Sequence, residues 1–197
     1  MVKKKQPTIE QNESFNRDLF DRRYAQDYDI KLLIPIYDKI IQFVNEIKIK
    51  EPNILEVGCG LGILASKLYN NNYVNYLGID ISAKAIDIAQ QNNKDNITKF
   101  KVHSIYELDS LNFFPDITIA VEVLEHIDDF KFLDELKTGH LIGTVPNFWA
   151  LDDAHLRIYP NKFYIWYRYH KRMKFIKWYK YKLTKKRFIY IFVAKIK

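Results

Sequence analysis

Apolar residues recur at two different spacings along the first half of the chain. Between residues 32 and 47 they recur every three or four positions, which predicts an amphipathic helix with the apolar face Leu32, Leu33, Ile36, Ile40, Phe43, Val44 and Ile47. The spacing then changes to a short, mostly apolar run at 53–57, which stops before Gly58 and predicts a buried strand. Helical spacing returns over residues 61–69. A strand therefore leads directly into a helix through a turn that contains glycine.

The same alternation continues toward the carboxyl terminus. Strands are predicted at 74–79, 97–102, 116–121 and 141–145, and helices at 83–92 and 128–136. Strands separated by helices indicate βαβ units and a parallel sheet that is covered by helices on both faces. Two β-rich segments, 174–183 and 187–196, predict an antiparallel hairpin at one side of the sheet. The expected fold class is α/β: a three-layer sandwich whose mostly parallel seven-stranded sheet ends in a C-terminal antiparallel hairpin.

Composition places the chain among globular proteins. It has 197 residues, of which 48% are hydrophobic and 28% are charged, which is the balance of one domain. No run approaches the roughly 18 consecutive apolar residues of a membrane span, and the Lys-rich amino terminus lacks the apolar core of a signal peptide. We therefore expect a cytoplasmic protein without integral membrane association. A single cysteine, Cys59, excludes an internal disulfide and a zinc site built on paired cysteines.

The formal net charge of +7 is unevenly distributed. Residues 161–197 contain thirteen Lys or Arg and no acid, so residues 1–160 hold the other 18 bases against all 24 acids, a net charge of −6. The chain is therefore an acidic body with a basic, aromatic C-terminal segment.

Candidate chemistry begins at the first strand-to-helix turn, Glu56-Val-Gly58-Cys-Gly60-Leu-Gly62. Glycines at such a turn let the backbone approach a ligand closely, and the helix that follows presents unpaired N–H groups to it. Asp80 ends the second predicted strand, where an acid can accept hydrogen bonds from the hydroxyls of a ribose. Ser82 is the better cap for the helix predicted at 83–92, which leaves Asp80 for a ligand.

These residues resemble the class I (Rossmann-like) S-adenosylmethionine-dependent methyltransferases, whose first motif has the form acid-x-Gly-x-Gly-x-Gly. The resemblance continues through Asp-Ile-Thr-Ile-Ala-Val-Glu-Val-Leu-Glu-His-Ile at 116–127 and Gly-Thr-Val-Pro-Asn at 143–147, and it covers residues 50–165. It implies a Rossmann-like fold, methyltransferase activity and S-adenosylmethionine as the cofactor. The glycine loop would hold the methionine part and Asp80 the ribose diol. The cofactor-binding residues it implies are Glu56, Gly58, Gly60, Gly62, Asp80, Ile81, Ser104, Ile105 and Glu122.

One position departs from the family pattern. Where the family often has Asp after the third strand to meet the adenine amino group, this chain has His103-Ser104-Ile105. Ser104 or a backbone group would therefore have to make the adenine contact.

The segment at 122–126 supplies the candidate catalytic residues. The acceptor must be aligned with the methyl group, and a base is needed only if the acceptor carries a proton. His126, with Glu125 beside it, is the candidate base because an imidazole titrates near neutrality, although His126 could instead only orient the loop. An alternative uses Glu122, Glu125, His126 and His155 as ligands of a divalent cation, similar to the small-RNA methyltransferases that modify a terminal 2′-hydroxyl. The same strings also occur in methyltransferases that bind no metal, and we predict no metal site.

We expect a single domain with an N-terminal lid at 1–49, a cofactor-binding core at 50–160 and a basic helix and hairpin at 161–197. In relatives the segment before the first strand folds over the cofactor, so Tyr24 or Tyr28 is expected to line the acceptor pocket. The rest of the pocket should come from 122–126, 147–159 and the helix that begins at 161. This construction favours an open cleft.

The basic segment bears on the acceptor. Its Lys and Arg residues alternate with aromatic residues, a mixture that suits nucleic acid but also a hairpin with one face in water. Thirteen cations without an acid predict an anionic acceptor, drawn from carboxylate-bearing small molecules or peptides, phosphorylated metabolites, RNA or an anionic membrane face. The predicted function is methyl transfer from S-adenosylmethionine to an oxygen, or as the less favoured alternative a nitrogen, of a small-molecule or peptide acceptor. The alternatives are the metal-dependent small-RNA 2′-O-methyltransferase and a non-catalytic module that only binds the cofactor.

Overall fold

The computed structural model describes residues 8–24, 33–94, 99–149 and 155–197. These residues form the strands β1 (Ile54–Val57), β2 (Tyr76–Asp80), β3 (Lys99–Val102), β4 (Ile117–Ala120), β5 (His140–Pro146), β6 (Met173–Lys182) and β7 (Phe188–Ile196). The α-helices are α1 (Ile9–Tyr24), α2 (Ile34–Ile47), α3 (Ile63–Asn70), α4 (Ala83–Asn92), α5 (Asp129–Glu135) and α6 (Lys162–Tyr169), and a 3-10 helix spans Leu108–Leu111. Each strand and helix predicted from spacing is present close to its expected bounds. Among the described helices, none has the length and apolar character of a membrane span.

All seven strands belong to one sheet, in the order β3-β2-β1-β4-β5-β7-β6. Strands β1 to β5 pair in parallel, whereas β7 pairs antiparallel with both β5 and β6. This is the predicted mostly parallel sheet with a C-terminal antiparallel hairpin. Strands β2 and β3 lie on one side of β1, whereas β4 and β5 lie on its other side. The direction of winding therefore reverses between β1 and β4. The carboxyl ends of β1 and β4 therefore border the crevice in which open α/β sheets bind ligands.

Helices cover both faces of the sheet. One apolar cluster packs the sheet against α5 and α6, through residues such as Phe132 and Tyr169. The other packs it against α2 and α3, through residues such as Ile40 and Leu68. Strand β1 is buried along its whole length, as expected for a parallel strand covered on both sides. The predicted three-layer arrangement is confirmed.

The two strands of the hairpin have different surroundings. Strand β7 lies inside the sheet and is almost entirely buried, whereas β6 forms the edge and is mostly exposed. Gly143 of β5 pairs with Phe192 of β7, and a Cβ built at Gly143 would lie 2.4 Å from Cζ of that ring. The missing side chain therefore makes room for the ring, while the lysines of β6 face water along the edge, where they discourage strand pairing between molecules.

Acids of the body neutralise part of the charge of the C-terminal segment. Arg172 donates to Asp134 at 2.7 Å, and Lys177 forms an ion pair with Glu46. Both pairs are partly exposed, so water and salt screen them. The basic segment is thus held to the acidic body by ion pairs as well as by apolar packing.

A third acid that pairs with the basic segment, Asp129, is buried. It lies at the start of α5, and its side chain is 1% exposed. Nε and Nη2 of Arg168 donate to its two carboxylate oxygens at 2.5 and 2.6 Å, and the Tyr169 hydroxyl donates to Oδ2 at 2.5 Å. Tyr159 Oη lies 3.4 Å and Arg157 Nη1 3.7 Å from the same oxygen. Since a buried carboxylate is costly unless it is paired and hydrogen-bonded, these four partners account for its position in the core.

Replacing Asp129 with Ala should lower the free energy of unfolding by about 3–5 kcal/mol, because the partly buried Arg168 and Arg157 would lose their counter-charge and the buried Tyr169 hydroxyl its acceptor. Urea denaturation of the two proteins measures the difference. Asp134→Ala is the matched control in the same helix, since its partner Arg172 is partly exposed and the expected loss is below about 1 kcal/mol. Similar losses in both variants would contradict the role given to the buried pair.

Candidate functional site

A cavity of about 660 Å³ opens at the carboxyl edge of the parallel strands. Its wall combines α1, the glycine loop after β1, the end of β2, the segment after β3, the loop after β4 (residues 122–126, hereafter the 122–126 loop) and part of the hairpin. The cavity thus lies at the reversal of winding between β1 and β4, where the sheet topology predicts a ligand site.

The glycine loop has a backbone that other residues rarely adopt. Gly58, Gly60 and Gly62 have φ values of +66°, +50° and +70°. A Cβ built at Gly58 would lie 2.6 Å from Cγ2 of Val123, and one at Gly60 would lie 2.9 Å from the hydroxyl of Tyr24. Gly58 and Gly60 line the cavity and Gly62 does not. The loop therefore offers bare backbone to a ligand, as a cofactor cradle requires.

Asp80 joins this loop to the end of β2. Its Oδ2 accepts from the backbone N–H of Gly60 at 3.0 Å and its Oδ1 from that of Ser82 at 2.9 Å. Burial raises the pKa of the Asp80 carboxyl, and these backbone hydrogen bonds oppose the shift. Ser82 caps α4 by accepting from the N–H of Ala85, as predicted, which leaves the Asp80 carboxylate in the cavity wall. Asp80 is therefore placed to accept hydrogen bonds from a ligand.

Two further predicted cofactor residues lie behind the wall. Glu56 accepts from the Tyr76 hydroxyl at 2.5 Å and does not line the cavity. Burial raises the pKa of Glu56 to about 8, with the Tyr76 hydrogen bond opposing the shift. Ser104 donates to Oε1 of Glu13 at 2.5 Å and is likewise outside the wall, whereas Ile81 and Ile105 are in it.

The neighbour of these glycines, Cys59, is the one cysteine of the chain. It is buried in the loop, and its N–H donates to the carbonyl of Ile79 at 3.0 Å. Burial raises the pKa of the Cys59 thiol well above its ordinary value. The thiol is therefore a packing group of the loop rather than a nucleophile.

Helix α1 lies across the cavity and is attached by polar contacts. Asn16 donates to the carbonyl of His126 at 3.0 Å, and Asp21 accepts a hydrogen bond from Ser82. Tyr24 lines the cavity beside the glycine loop, while Tyr28 lies outside the described residues. The buried residues of α1 are asparagines, so this lid is fastened by hydrogen bonds instead of an apolar stripe.

The 122–126 loop carries two acids with different surroundings. Glu122 has a φ of +53° and is tied to Thr144, whose hydroxyl accepts from its N–H and donates to its Oε1, both at 2.8 Å. Burial raises the pKa of Glu122 to about 7, opposed by the Thr144 hydrogen bond. Glu125 is fully buried, and neither carboxylate oxygen has a hydrogen-bond partner among the described residues. Burial, and then the charge of Glu122, raise the pKa of Glu125 well above its ordinary value.

Two imidazoles complete this part of the cavity. The rings of His126 and His155 are 4.8 Å apart, and Nε2 of His126 lies 4.0 Å from Oε1 of Glu125. Possible ligand atoms of Glu125, His126 and His155 all lie within 4.8 Å of one another. Burial lowers the pKa of His155, while a hydrogen bond to the backbone of Phe148 opposes the shift. These three side chains can take up a proton or hold a cation, whereas Glu122 is engaged with Thr144.

Contacts from the Asp129 region fix the shape of the 122–126 loop. Nη1 of Arg157 donates to the carbonyls of Leu124 and Ile127 at 2.6 and 2.7 Å. The N–H of Leu156 donates to the carbonyl of Glu125 at 2.7 Å. The unusual burial of Glu125 is therefore imposed by a rigid backbone.

The outer part of the cavity differs from expectation. The predicted pocket included the helix that begins at 161, but no residue of α6 lines the cavity, because α6 packs beside α5. The hairpin contributes Leu183, Arg187 and Ile189 in its place. Cζ of Arg187 lies 5.3 Å from the centre of the Phe148 ring, which also lines the cavity.

Sequence reasoning did not single out Glu13, Asn16 or Arg187, and it placed Phe148 in the site only as part of the pocket segment 147–159. Arg187 follows two lysines and nothing in the sequence distinguishes it from them. Glu13 and Asn16 lie in a helix whose inward positions are polar, so hydrophobic spacing carries no signal for them.

Comparison with known proteins agrees with the fold and the loop. Residues 24–193 match the family described as "Methyltransferase domain", and the chain belongs to this family. This family agrees with the methyltransferase expected from the glycine motif, for which S-adenosylmethionine is the expected cofactor. The cradle of Gly58 and Gly60, with Asp80 beside it, fits that cofactor because it offers bare backbone and a carboxylate in one wall.

Individual relatives support the same family. The chain is 31% identical over 134 residues to "Ubiquinone biosynthesis O-methyltransferase, mitochondrial" of Candida albicans, covering 61% of this chain and 40% of that protein. A homologue of the same activity name in Hydrogenovibrio crunogenus is 34% identical over 93 residues, covering 45% and 38%. The chain thus spans about two fifths of the length of these curated relatives. A crystal structure of magnesium protoporphyrin IX methyltransferase from Synechocystis PCC 6803 with bound SAH has a TM-score of 0.73 at 16% identity, covering 94% and 100% of the two chains, which shows a shared fold.

Asp80→Ala should lower the affinity for S-adenosylhomocysteine by roughly 100-fold or more, because hydrogen bonds to a charged acceptor are lost and Gly60 loses its partner. Titration calorimetry measures the change. Asp87→Ala, at an exposed position of α4, is the matched control and should leave the affinity unaltered. Unchanged affinity in the Asp80 variant would remove this residue from the cofactor site.

Proposed function

We propose that this protein transfers the methyl group of S-adenosylmethionine to a hydroxyl oxygen of a small aromatic acceptor that carries a negative charge. One observation carries the proposal: a single cavity contains the cofactor loop, the proton-accepting side chains Glu125, His126 and His155, and an outer wall with Phe148 and Arg187. A volume of about 660 Å³ suits a small molecule beside the cofactor.

The chemistry requires little of the protein beyond alignment and a base. The sulfonium supplies an activated methyl group when the cofactor is bound. As the acceptor oxygen bonds to the methyl carbon, the carbon–sulfur bond breaks and its electron pair stays on sulfur, which leaves S-adenosylhomocysteine. The hydroxyl proton passes to His126, whose Nε2 lies 4.0 Å from Oε1 of Glu125. Helix α1 and the 122–126 loop hold the acceptor and exclude water.

Oxygen as the acceptor atom is supported by the relatives. The Candida albicans and Hydrogenovibrio crunogenus proteins are both named as O-methyltransferases. A base beside the site is also needed for a hydroxyl, which must lose its proton during methyl transfer.

Two guanidinium groups support a negatively charged acceptor. Arg187 lines the cavity from the hairpin, and none of the ion pairs between described residues involves it. Arg23 of α1 also lines the cavity, and its charge contributes to lowering the pKa of His155. A guanidinium binds a carboxylate through two parallel hydrogen bonds, and the Phe148 ring beside Arg187 offers a surface for an aromatic acceptor. The negative charge of the acceptor would therefore be bound by these two guanidinium groups and also be attracted by the overall positive charge of residues 161–197.

Arg187→Gln should raise the KM for 3,4-dihydroxybenzoate roughly tenfold or more, because the pairing of guanidinium and carboxylate is lost. The KM for the neutral analogue catechol should change little. Steady-state methyl-transfer assays with the two acceptors measure both values.

Lys186→Gln is the control, since it removes the same charge from the same turn but Lys186 does not line the cavity. Equal effects of the two variants would show attraction by overall charge instead of a subsite. Failure of the wild-type protein to methylate either compound while it still binds S-adenosylhomocysteine would contradict the proposed acceptor class.

A second candidate function is metal-dependent methyl transfer at the same site. The observation in its favour is Glu125, whose buried carboxylate has no hydrogen-bond partner among the described residues and lies beside His126 and His155. One carboxylate and two imidazoles form a ligand set that suits divalent transition metals. A metal held there would polarise the acceptor hydroxyl.

If these side chains hold a metal, dialysis against EDTA should abolish methyl transfer and Mn²⁺ should restore it. Direct titration with Mn²⁺ should then show one site that Glu125→Gln removes and that His140→Gln, a change away from the cavity, preserves. Activity that survives chelation, with no Mn²⁺ site, would assign the three side chains to proton transfer. Running the same assay with RNA that ends in a free 2′-hydroxyl tests the RNA alternative.

A further inference from the structure

The topology determines where the adenine of the cofactor must lie. The resemblance to the family assigns the methionine part of the cofactor to the glycine loop after β1 and the ribose to Asp80 at the end of β2. Strand β3 is the neighbour of β2 on the side away from β1. A cofactor that extends from β1 across β2 therefore brings its purine to the segment after β3. Ile81 and Ile105 line the cavity there and provide an apolar surround for a flat ring.

The segment after β3 offers no free side-chain acceptor for the amino group of that purine. Ser104 donates to Glu13 and accepts from the N–H of Tyr106 at 3.1 Å, and it does not line the cavity. Nε2 of His103 contacts the Glu107 carbonyl at 3.0 Å, within its own loop. An amino group buried without an acceptor would weaken binding, so a side-chain acceptor has to come from another part of the chain.

Glu13 of α1 meets this need. It lines the cavity beside Ile105, and its Oε1 is held by the Ser104 hydroxyl at 2.5 Å. Among the described residues, no other hydrogen bond reaches the carboxylate, which leaves Oε2 able to accept. A carboxylate only accepts hydrogen bonds, and bonds to a charged acceptor are strong.

We propose that Glu13 accepts a hydrogen bond from the exocyclic amino group of the cofactor's adenine, and that Ser104 orients Glu13 for this contact. This inference rests on S-adenosylmethionine as the cofactor. The lid helix, rather than the sheet, then recognises the base. Because Asn16 and Asp21 attach the same helix to His126 and Ser82, binding of adenine and closure of α1 favour each other.

The test compares S-adenosylhomocysteine with S-inosylhomocysteine, in which an oxygen replaces the amino group. Titration calorimetry of the wild-type protein should show roughly 10- to 100-fold tighter binding of the adenine compound. Glu13→Leu should bring the ratio of the two affinities close to one. Glu10→Leu, an exposed position of the same helix, should keep the wild-type ratio. In Glu13→Gln the amide oxygen would accept from Ser104 and the amide N–H groups would face the ligand, so the preference for adenine should be lost or reversed. This variant keeps the size of the side chain and gives a readable result even if the Leu variant does not fold.

Limited trypsin digestion supplies a second measurement, since α1 contains Arg17, Arg22 and Arg23. S-adenosylhomocysteine should protect these sites in the wild-type protein more than S-inosylhomocysteine does. Loss of affinity for both compounds by the same factor in Glu13→Leu would show that Glu13 only seats the helix, and would overturn the proposal. A wild-type protein that does not discriminate also overturns it. If the wild-type protein does not discriminate but Asp80→Ala abolishes binding of S-adenosylhomocysteine, only the role of Glu13 is wrong and the proposed cofactor site is retained.

Discussion

The buried carboxylate of Asp129 is the interaction on which the site depends. It binds Arg168 and Tyr169 from α6 and lies close to Arg157. Arg157 in turn holds the carbonyls of Leu124 and Ile127, which flank the residues that carry the chemistry. A carboxylate this deeply buried is stable only with its partners in place, so Asp129 ties the basic segment to the helix that follows the 122–126 loop. The C-terminal charge is therefore partly structural, a role that the net charge alone does not reveal.

The cavity joins two parts of the sheet with different tasks. The parallel strands and their following loops build the cofactor side through Gly58, Gly60 and Asp80, while the antiparallel hairpin contributes Arg187 to the outer wall. Helix α1 closes the third side with polar contacts. Because these parts are separate in sequence, the acceptor side could vary among related proteins while the cofactor side stays the same.

Much of the fold can be predicted from the sequence. Parallel strands that are covered on both faces appear as short apolar runs, and the helices between them show apolar residues at every third or fourth position. The glycine loop and Asp80 could also be predicted, since both lie at fixed offsets from strand ends. The lid contacts could not: Asn16 and His126 are 110 positions apart, and a polar inward face has no periodic signature. The placement of α6 away from the cavity was missed because it depends on pairing with Asp129, a long-range contact that local patterns do not contain. Nothing in the sequence distinguishes Glu122 from Glu125. In the structure Glu122 accepts a hydrogen bond from the Thr144 hydroxyl, whereas the buried carboxylate of Glu125 has no hydrogen-bond partner among the described residues.

The buried thiol of Cys59 makes the glycine loop a built-in reporter of its own opening. Burial raises the pKa of the Cys59 thiol and leaves the residue 5% exposed, and both slow its reaction with thiol reagents. A thiol reagent should therefore modify the chain faster in molecules whose loop has opened, and with one cysteine in the sequence the product is homogeneous. The rate of that modification measures the free energy of local opening at the place where the cofactor binds.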